Sequence, residues 1–350
     1  MSIPLMTTEN LLCSNNTYGP LKRFGYFGGT FTRKELEQSY KNNTPLTLDF
    51  SIPGNCLNNC YYCGYYNVNT EDKIEINEIY RVIDEFTKIG GKSIKILGEG
   101  EPLLRNDILG ILGEISKNNL IPVLFTCGDV LGDEKLSKNI FNLSSENLVN
   151  ILYDIGCTIV LKFEGFEQDE IVGRNGFSGK RNIALKLLLG AGFNKHYPSR
   201  LGFGIVLLKE NFYKMKEIYR FSLSNNIYPL ICPLMPIGKC KDKTFRENIS
   251  PNRDKINILK EELEIVEKSF GIDFNGESDF PGGLPCDISR AGFYIDDVGD
   301  VFVCEADAKI GSIKDTHIGP IWSKINVFKT ANYKERKLGL CNPKRCFGII

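Results

Sequence analysis

The chain has 350 residues, of which 42% are hydrophobic, with 43 basic and 43 acidic side chains. That is enough apolar material for a full core, and the length suits one barrel-sized domain with a smaller appendage. The balanced charge leaves no net field favouring nucleic acid or an anionic membrane, no run approaches the roughly 18 apolar residues of a membrane helix, and the Met1–Thr7 start lacks the pattern of a signal peptide. Twelve cysteines in such a chain argue for a reducing cytoplasm, and for metal ligation over disulfides.

Residues 1–45, rich in Asn, Thr, Gly and aromatics, read as an N-terminal extension, a strand or helix packed on the main domain. From residue 46 strands and helices alternate. Leu46–Ile52 is strand-like, and Pro53-Gly54 turns the chain into a loop. Ile76, Ile79, Val82, Ile83, Phe86 and Ile89 recur at helical spacing, and Gly90-Gly91 stops that helix. Ser93–Leu97 is the next strand, followed by a helix near Asp107–Asn118 and the strand Pro122–Thr126. A helix around Glu146–Ile155 precedes the strand Cys157–Phe163, and a helix near Lys180–Leu189 precedes the strand Leu201–Leu208. Asn211 caps a helix to about Ser224, which leads into Tyr228–Cys232.

Six β/α units in series predict an α/β fold with a parallel sheet and right-handed crossovers, either an open doubly wound sheet or a barrel. The domain expected on this basis spans 46–250. A long helix follows over 251–271, with Ser250 as its N-cap, Pro251 at its first position and Gly271 at its end. A soft boundary falls near residue 272. In the remaining segment, 272–350, apolar residues alternate around Asp297-Val298-Gly299-Asp300 and predict a β-hairpin.

The chemistry concentrates in Cys56-Leu57-Asn58-Asn59-Cys60-Tyr61-Tyr62-Cys63. Thiolates select iron–sulfur clusters or zinc. Tetrahedral zinc normally takes four ligands, and no fourth Cys or His lies nearby. Three thiolates on a cubane cluster leave one iron open to a small molecule. A zinc knuckle or a set of structural thiols is the alternative.

The Cys-x3-Cys-x2-Cys spacing after a first strand, with Tyr62 before the third cysteine, resembles the signature of the radical S-adenosylmethionine (radical SAM) enzymes. The resemblance implies a partial (β/α)6 TIM-like barrel with a small C-terminal β-hairpin/helix auxiliary-cluster domain. It further implies a [4Fe-4S] cluster held by Cys56, Cys60 and Cys63, whose open iron chelates SAM, with Tyr62 near the adenine. Single-electron cleavage of SAM would give a 5′-deoxyadenosyl radical that takes hydrogen from a substrate carbon. Gly98-Glu99-Gly100-Glu101-Pro102 resembles the family's Gly-Gly-Glu-Pro motif, with Glu99 in place of the first glycine. By that match Glu101 accepts from the SAM ammonium, and Gly98, Gly100 and Pro102 shape the loop. Lys162 and Glu164, at the end of the fourth strand, are candidates for ribose or SAM carboxylate contacts; Arg174 and Asn175 lie in the following loop.

Cys286, Cys304, Cys341 and Cys346 form a second set. Gly299-x4-Cys304 with Cys286 upstream resembles the auxiliary-cluster extension of the SPASM/twitch subfamilies. SPASM typically has seven cysteines, so the shorter twitch form with one auxiliary [4Fe-4S] cluster fits better. A zinc ribbon is the alternative for the same spacing. Cys127, Cys232 and Cys240 lie at or beyond strand ends, where a thiol could return hydrogen to a substrate radical. Buried cysteines also serve as small hydrophobes, as expected of Cys13 and Cys157. His196 and His317 are expected to be surface or packing residues.

The expected function is oxidation or epimerisation of a small metabolite, with an electron donor such as flavodoxin or ferredoxin. The short N-terminal segment leaves little room for a leader-peptide-binding domain, which weighs against the alternative of a peptide- or protein-modifying maturase. A non-catalytic zinc or electron-transfer protein on an α/β scaffold is the other alternative.

Overall fold

The computed structural model describes residues 25–64, 72–271, 291–303 and 309–325. Cys13, Cys286, Cys304, Cys341 and Cys346 lie outside the described residues, and with them the whole expected ligand set of an auxiliary cluster.

A nine-stranded sheet organises the described residues. Strands β1 (Thr47–Pro53), β2 (Ser93–Glu99), β3 (Ile121–Thr126), β4 (Thr158–Lys162), β5 (Leu201–Val206) and β6 (Tyr228–Cys232) pair in sequence order, all parallel. Helices connect them, as parallel neighbours require. They are α2 (Ile76–Lys88), α3 (Ile108–Lys117), α6 (Ser145–Asp154), α8 (Phe177–Ala191) and α9 (Met215–Ser224), preceded by α1 (Arg33–Asn42). Three shorter helices at strand ends escaped the sequence pattern: α4 (Asp129–Gly132), α5 (Glu134–Phe141) and α7 (Asp169–Val172). This mostly parallel α/β sheet has the partial TIM-like barrel architecture that the alternation left open against a doubly wound sheet. No helix of the described residues is long and apolar enough to cross a membrane.

The period-two alternation of the strands separates two faces. Leu48, Phe50, Ile52, Ile94, Ile96, Leu124, Ile159, Leu161, Phe203 and Ile231 point to the helices and form the main core. The other face divides in two. Toward β3–β6 it is apolar: Val123, Val160 and Tyr228 are buried against Tyr26. Toward β1 and β2 it is charged, with Lys95 opposite Asp49 in register and an ion pair between them at 3.2 Å. Tyr26 comes from the N-terminal extension, which bridges Ser199 in parallel.

Beyond β6 come α10 (Lys243–Ile249) and α11 (Arg253–Ser269). The expected N-cap of the long helix is corrected here. Ser250 instead terminates α10, its N–H bonding the Arg246 carbonyl at 2.9 Å, and Asn252 caps α11 by accepting from the Lys255 N–H at 3.0 Å. An Asn side chain is as good a cap as Ser, and the preceding helix had already claimed the serine. Ile256, Leu259, Leu263 and Val266 are buried as their spacing requires, and Gly271 follows the helix with φ +70°.

The expected hairpin is present as β7 (Gly292–Ile295) and β8 (Asp300–Phe302), antiparallel, with β9 (Lys309–Ser312) added beyond. It continues the barrel sheet, because β7 pairs in parallel with β1, Leu48 opposite Phe293. Phe293 is fully buried between Phe86 of α2 and Trp322 of the helical segment 318–325. Phe293→Ala is therefore expected to cost about 3–5 kcal/mol, read as a lower urea midpoint of the whole cooperative transition. A loss below about 1 kcal/mol would mean that β7 does not share the barrel core.

Candidate active site

In a parallel α/β sheet, functional side chains gather where the C-terminal ends of the strands open into loops. The three-cysteine loop leaves the end of β1 at this edge, and loops from the other strands hold its backbone. Glu101 N–H donates to the Asn55 carbonyl at 2.7 Å, and Asn59 N–H donates to the Val172 carbonyl at 2.8 Å. Gly100, at φ +145°, approaches so closely that a Cβ there would stand 2.5 Å from the Asn55 oxygen. Gly238, beyond β6, would place a Cβ 1.8 Å from the Gly64 oxygen. Both positions demand glycine on steric grounds.

Within that grip the thiols act on one another. Desolvation of its sulfur by the surrounding loops, with Glu101, Cys60 and Cys63 nearby, pushes the Cys56 thiol up, although the residue as a whole is exposed. Burial, with Glu164 and Cys63, raises Cys60 against the opposing pull of Lys162. Thiols that discourage each other's ionisation in this way need added positive charge to become thiolates, and a bound metal centre provides it. The donor set fits an iron–sulfur cluster: three soft ligands in one short loop, each within electrostatic reach of a neighbour.

Tyr62, Lys162 and Glu164, all expected at the site, come together beside Cys60. The Tyr62 hydroxyl donates to Glu164 Oε1 at 2.7 Å, and Lys162 Nζ donates to the same oxygen at 2.6 Å. Nζ also hydrogen-bonds the Tyr62 hydroxyl and lies 4.8 Å from the centroid of its ring. Glu164 is buried, and among the described residues its Oε2 has no hydrogen-bond partner. Burial opposes the charge on Lys162, but the Glu164 carboxylate in contact with it holds the ammonium well above the ordinary lysine range.

Glu101 is equally enclosed. It accepts from Leu103 N–H at 3.0 Å, the Thr126 hydroxyl at 2.7 Å and Cys127 N–H at 2.6 Å. Burial and Asp129 still push its carboxyl up to about 7. The Cys127 thiol donates to Asp129 Oδ1 at 3.1 Å, and Arg174 pairs with Asp129 Oδ2 at 2.8 Å. Asp129 was not anticipated. Its position three residues after the end of the third strand was the available signal, since that edge is where reactive groups of parallel sheets collect. Gly98, the penultimate residue of β2, has its backbone packed against Gly100, and Pro102 opens the short turn behind Glu101. Asn175 lies in the connection between α7 and α8, one residue beyond Arg174.

The remaining thiols are dispersed. Cys240 is buried under the loop, its Sγ 3.5 Å from the Tyr62 carbonyl. Cys232 ends β6, at the far side of the parallel run from β1. Cys157 is fully buried. His196 meets the Tyr153 hydroxyl at 3.0 Å, and His317 packs on Glu85 at 2.6 Å.

Glu99, the residue that departs from the glycine pattern, faces the hairpin. Its carboxyl faces that of Asp297, whose own ion pair is to Lys73 at 3.0 Å. Burial and this carboxyl neighbour push Glu99 up to about 8, and burial pushes Asp296 up to about 6. Two carboxyls in contact cannot both ionise cheaply. These three acids, Glu99, Glu101 and Asp296, therefore keep protons in the folded, metal-free protein that the unfolded chain releases above about pH 4. Their stabilisation is complete below that pH and is lost as pH rises through the folded values. The melting temperature of metal-free protein is expected to fall between about pH 5 and about pH 8.5, and Glu99→Gln to flatten the upper part of the fall. A variant curve parallel to wild type above about pH 7 would remove Glu99 as its source.

Residues 50–222 match the family model of the radical SAM superfamily. A protein of Methanocaldococcus jannaschii described as "Probable GTP 3',8-cyclase" is 28% identical over 233 residues, 63% of this chain and 75% of its own length. The GTP 3′,8-cyclase of Clostridium perfringens strain 13 is 27% identical over 242 residues, 67% of this chain and 68% of its own. Among solved structures, Streptococcus suis SuiB bound to precursor peptide SuiA superposes with a TM-score of 0.60 at 17% identity, covering 83% of this chain and 68% of that one. Polyhistidine-tagged anSMEcpe with bound AdoMet gives 0.57 at 16% identity, covering 79% and 80%. At such identities the superpositions speak for the fold alone. The superfamily uses a [4Fe-4S] cluster and SAM, and this chain carries a radical SAM domain over residues 50–222 on a partial α/β barrel.

Proposed function

We propose that this radical SAM enzyme abstracts hydrogen from a carbon of a small polar metabolite, leading to oxidation or epimerisation. The observation that carries the reading is the gathering of the Cys56–Cys63 loop, Glu101 and the Tyr62–Lys162–Glu164 triad at one end of the parallel strands. When bound, the cluster and SAM supply single-electron cleavage of the sulfonium and a 5′-deoxyadenosyl radical.

The chain's own residues divide the remaining work. Cys56, Cys60 and Cys63 would hold the cluster. Glu101, a buried acceptor whose backbone is tied to Asn55, would take the SAM ammonium. Arg174, a cation whose buried Nη1 has no hydrogen-bond partner among the described residues, would suit the SAM carboxylate. The unfilled Oε2 of Glu164 suits a ribose hydroxyl, since a buried acceptor gains by finding a donor.

A small substrate is favoured by the concave face, where the Asp49–Lys95 pair and the Tyr294–Ser51 hydrogen bond at 3.0 Å present buried polar groups, while Tyr26 packs among apolar residues of β3, β4 and β6. A polar wall of this kind orients a ligand rich in hydrogen-bonding groups. The relatives named GTP 3′,8-cyclase, whose name gives a nucleotide substrate, fit the same class. Cys286, Cys304, Cys341 and Cys346 are proposed to hold one auxiliary [4Fe-4S] cluster, and a flavodoxin or ferredoxin of the cytoplasm is proposed to supply the electron. Cys127, Cys232 and Cys240 are the thiols to test for hydrogen return in an epimerisation.

After anaerobic reconstitution, about eight irons per chain are expected, with 5′-deoxyadenosine formed from SAM and dithionite. Cys60→Ala is expected to lose about four of those irons and all 5′-deoxyadenosine formation. Zinc in place of iron, without SAM cleavage, would overturn the reading.

A further inference from the structure

Arg181 has no place in the site described above, yet it is completely buried on α8. Its guanidinium lies beneath the loop that follows β4. Nη1 donates to the Lys162 carbonyl at 3.4 Å and to Gln168 Oε1 at 3.2 Å. Nη2 donates to the carbonyls of Gly165 at 2.7 Å and Phe166 at 3.0 Å, and Nε donates to Asn182 Oδ1 at 3.0 Å. The guanidinium carbon stands 4.0 Å from the centroid of the Phe163 ring. Four acceptors therefore come from one short stretch, 162–168, whose first and third residues are Lys162 and Glu164.

Gln168 completes the frame. Its Oε1, already bound by Arg181, accepts the Glu164 N–H at 2.8 Å. Its own N–H donates to the Ser178 hydroxyl at 2.8 Å, which in turn donates to Asp169 Oδ1 at 2.6 Å.

Among the described residues no carboxylate lies at ion-pair distance from Arg181. Burying a cation without a direct counter-ion costs several kcal/mol even after relaxation, and a core needing only volume would be filled more cheaply by an apolar side chain. A flat five-donor fork does what no apolar residue or lysine can: it fixes several carbonyls of one loop in a single plane. We propose that Arg181 is a positioning residue for SAM binding, clamping the 162–168 loop so that Lys162 and Glu164 meet Tyr62 and hold the third-cysteine end of the metal loop. This inference rests on the radical SAM reading of the site.

The test uses two variants of the full chain. Arg181→Lys keeps the charge and loses the fork, while Gln168→Leu keeps Arg181 and removes the bridge to Glu164. In metal-free protein, both are expected to speed amide hydrogen exchange at 163–168 and at 60–64 by about tenfold, leaving the sheet amides unchanged. In reconstituted protein, both are expected to raise the KM for SAM about tenfold with a smaller change in kcat, at wild-type iron content. Wild-type exchange and wild-type KM in both variants would overturn the proposal. If Arg181→Lys does not fold, Gln168→Leu decides alone. Should wild type itself fail to cleave SAM, the functional reading falls, while the exchange measurement still decides whether Arg181 holds the loop.

Discussion

A loop with three thiols in eight residues cannot hold its own shape. It is too short for secondary structure, and its thiols discourage one another's charge. Its conformation is therefore imposed from outside, by the Asn55–Glu101 and Asn59–Val172 backbone bonds, the close glycine contacts at 100 and 238, and Tyr62 locked between Lys162 and Glu164. These partners belong to several different βα loops, so the barrel must close correctly before the metal loop has a defined geometry. Folding and site assembly are one event here, and the core beneath β1–β6 is what makes the site stiff.

The buried charges follow from the same constraint. Glu101, Glu164, Arg181 and Asp129 are almost wholly enclosed, an arrangement that ordinary stability would not favour. None lies far inside the sheet; all cluster at the strand ends around the cysteine loop. There the low dielectric strengthens every directed interaction, so a few hydrogen bonds hold side chains at fixed reach. The cost is offset by the apolar face of the barrel, where Leu48, Phe50, Ile52 and their neighbours are fully buried.

The hairpin changes how the C-terminal segment is understood. Its pairing with β1 brings Asp296 and Asp297 to the edge that carries the cysteine loop, where Asp297 meets Glu99. A segment expected as an appendage for a second metal centre thus also borders the first. The departure of Glu99 from the family's glycine acquires a partner from this geometry.

Much of this was legible in the residues. Strand and helix periods located the six β/α units, since burial on one face leaves a period in the sequence. The Cys56, Cys60 and Cys63 spacing placed three soft donors in one loop at the end of β1, where the structure has them. Tyr62, Glu101, Lys162 and Glu164 were identified by resemblance and by their place at strand ends. Local pattern did not reveal that Asn252, not Ser250, caps the long helix, because the choice turned on a short preceding helix with little periodicity. Nor did it reveal Asp129 beside Cys127, Asp297 against Glu99, Tyr26 among the inward residues of β3, β4 and β6, or the role of Arg181. Those pairings join residues distant in the chain or depend on which way a buried side chain points. The sequence by itself determined which elements form and which atoms can bind metal, because both are short-range properties. Only the tertiary structure decided which charges meet, because that depends on how parallel strands bring the ends of separate loops to one edge.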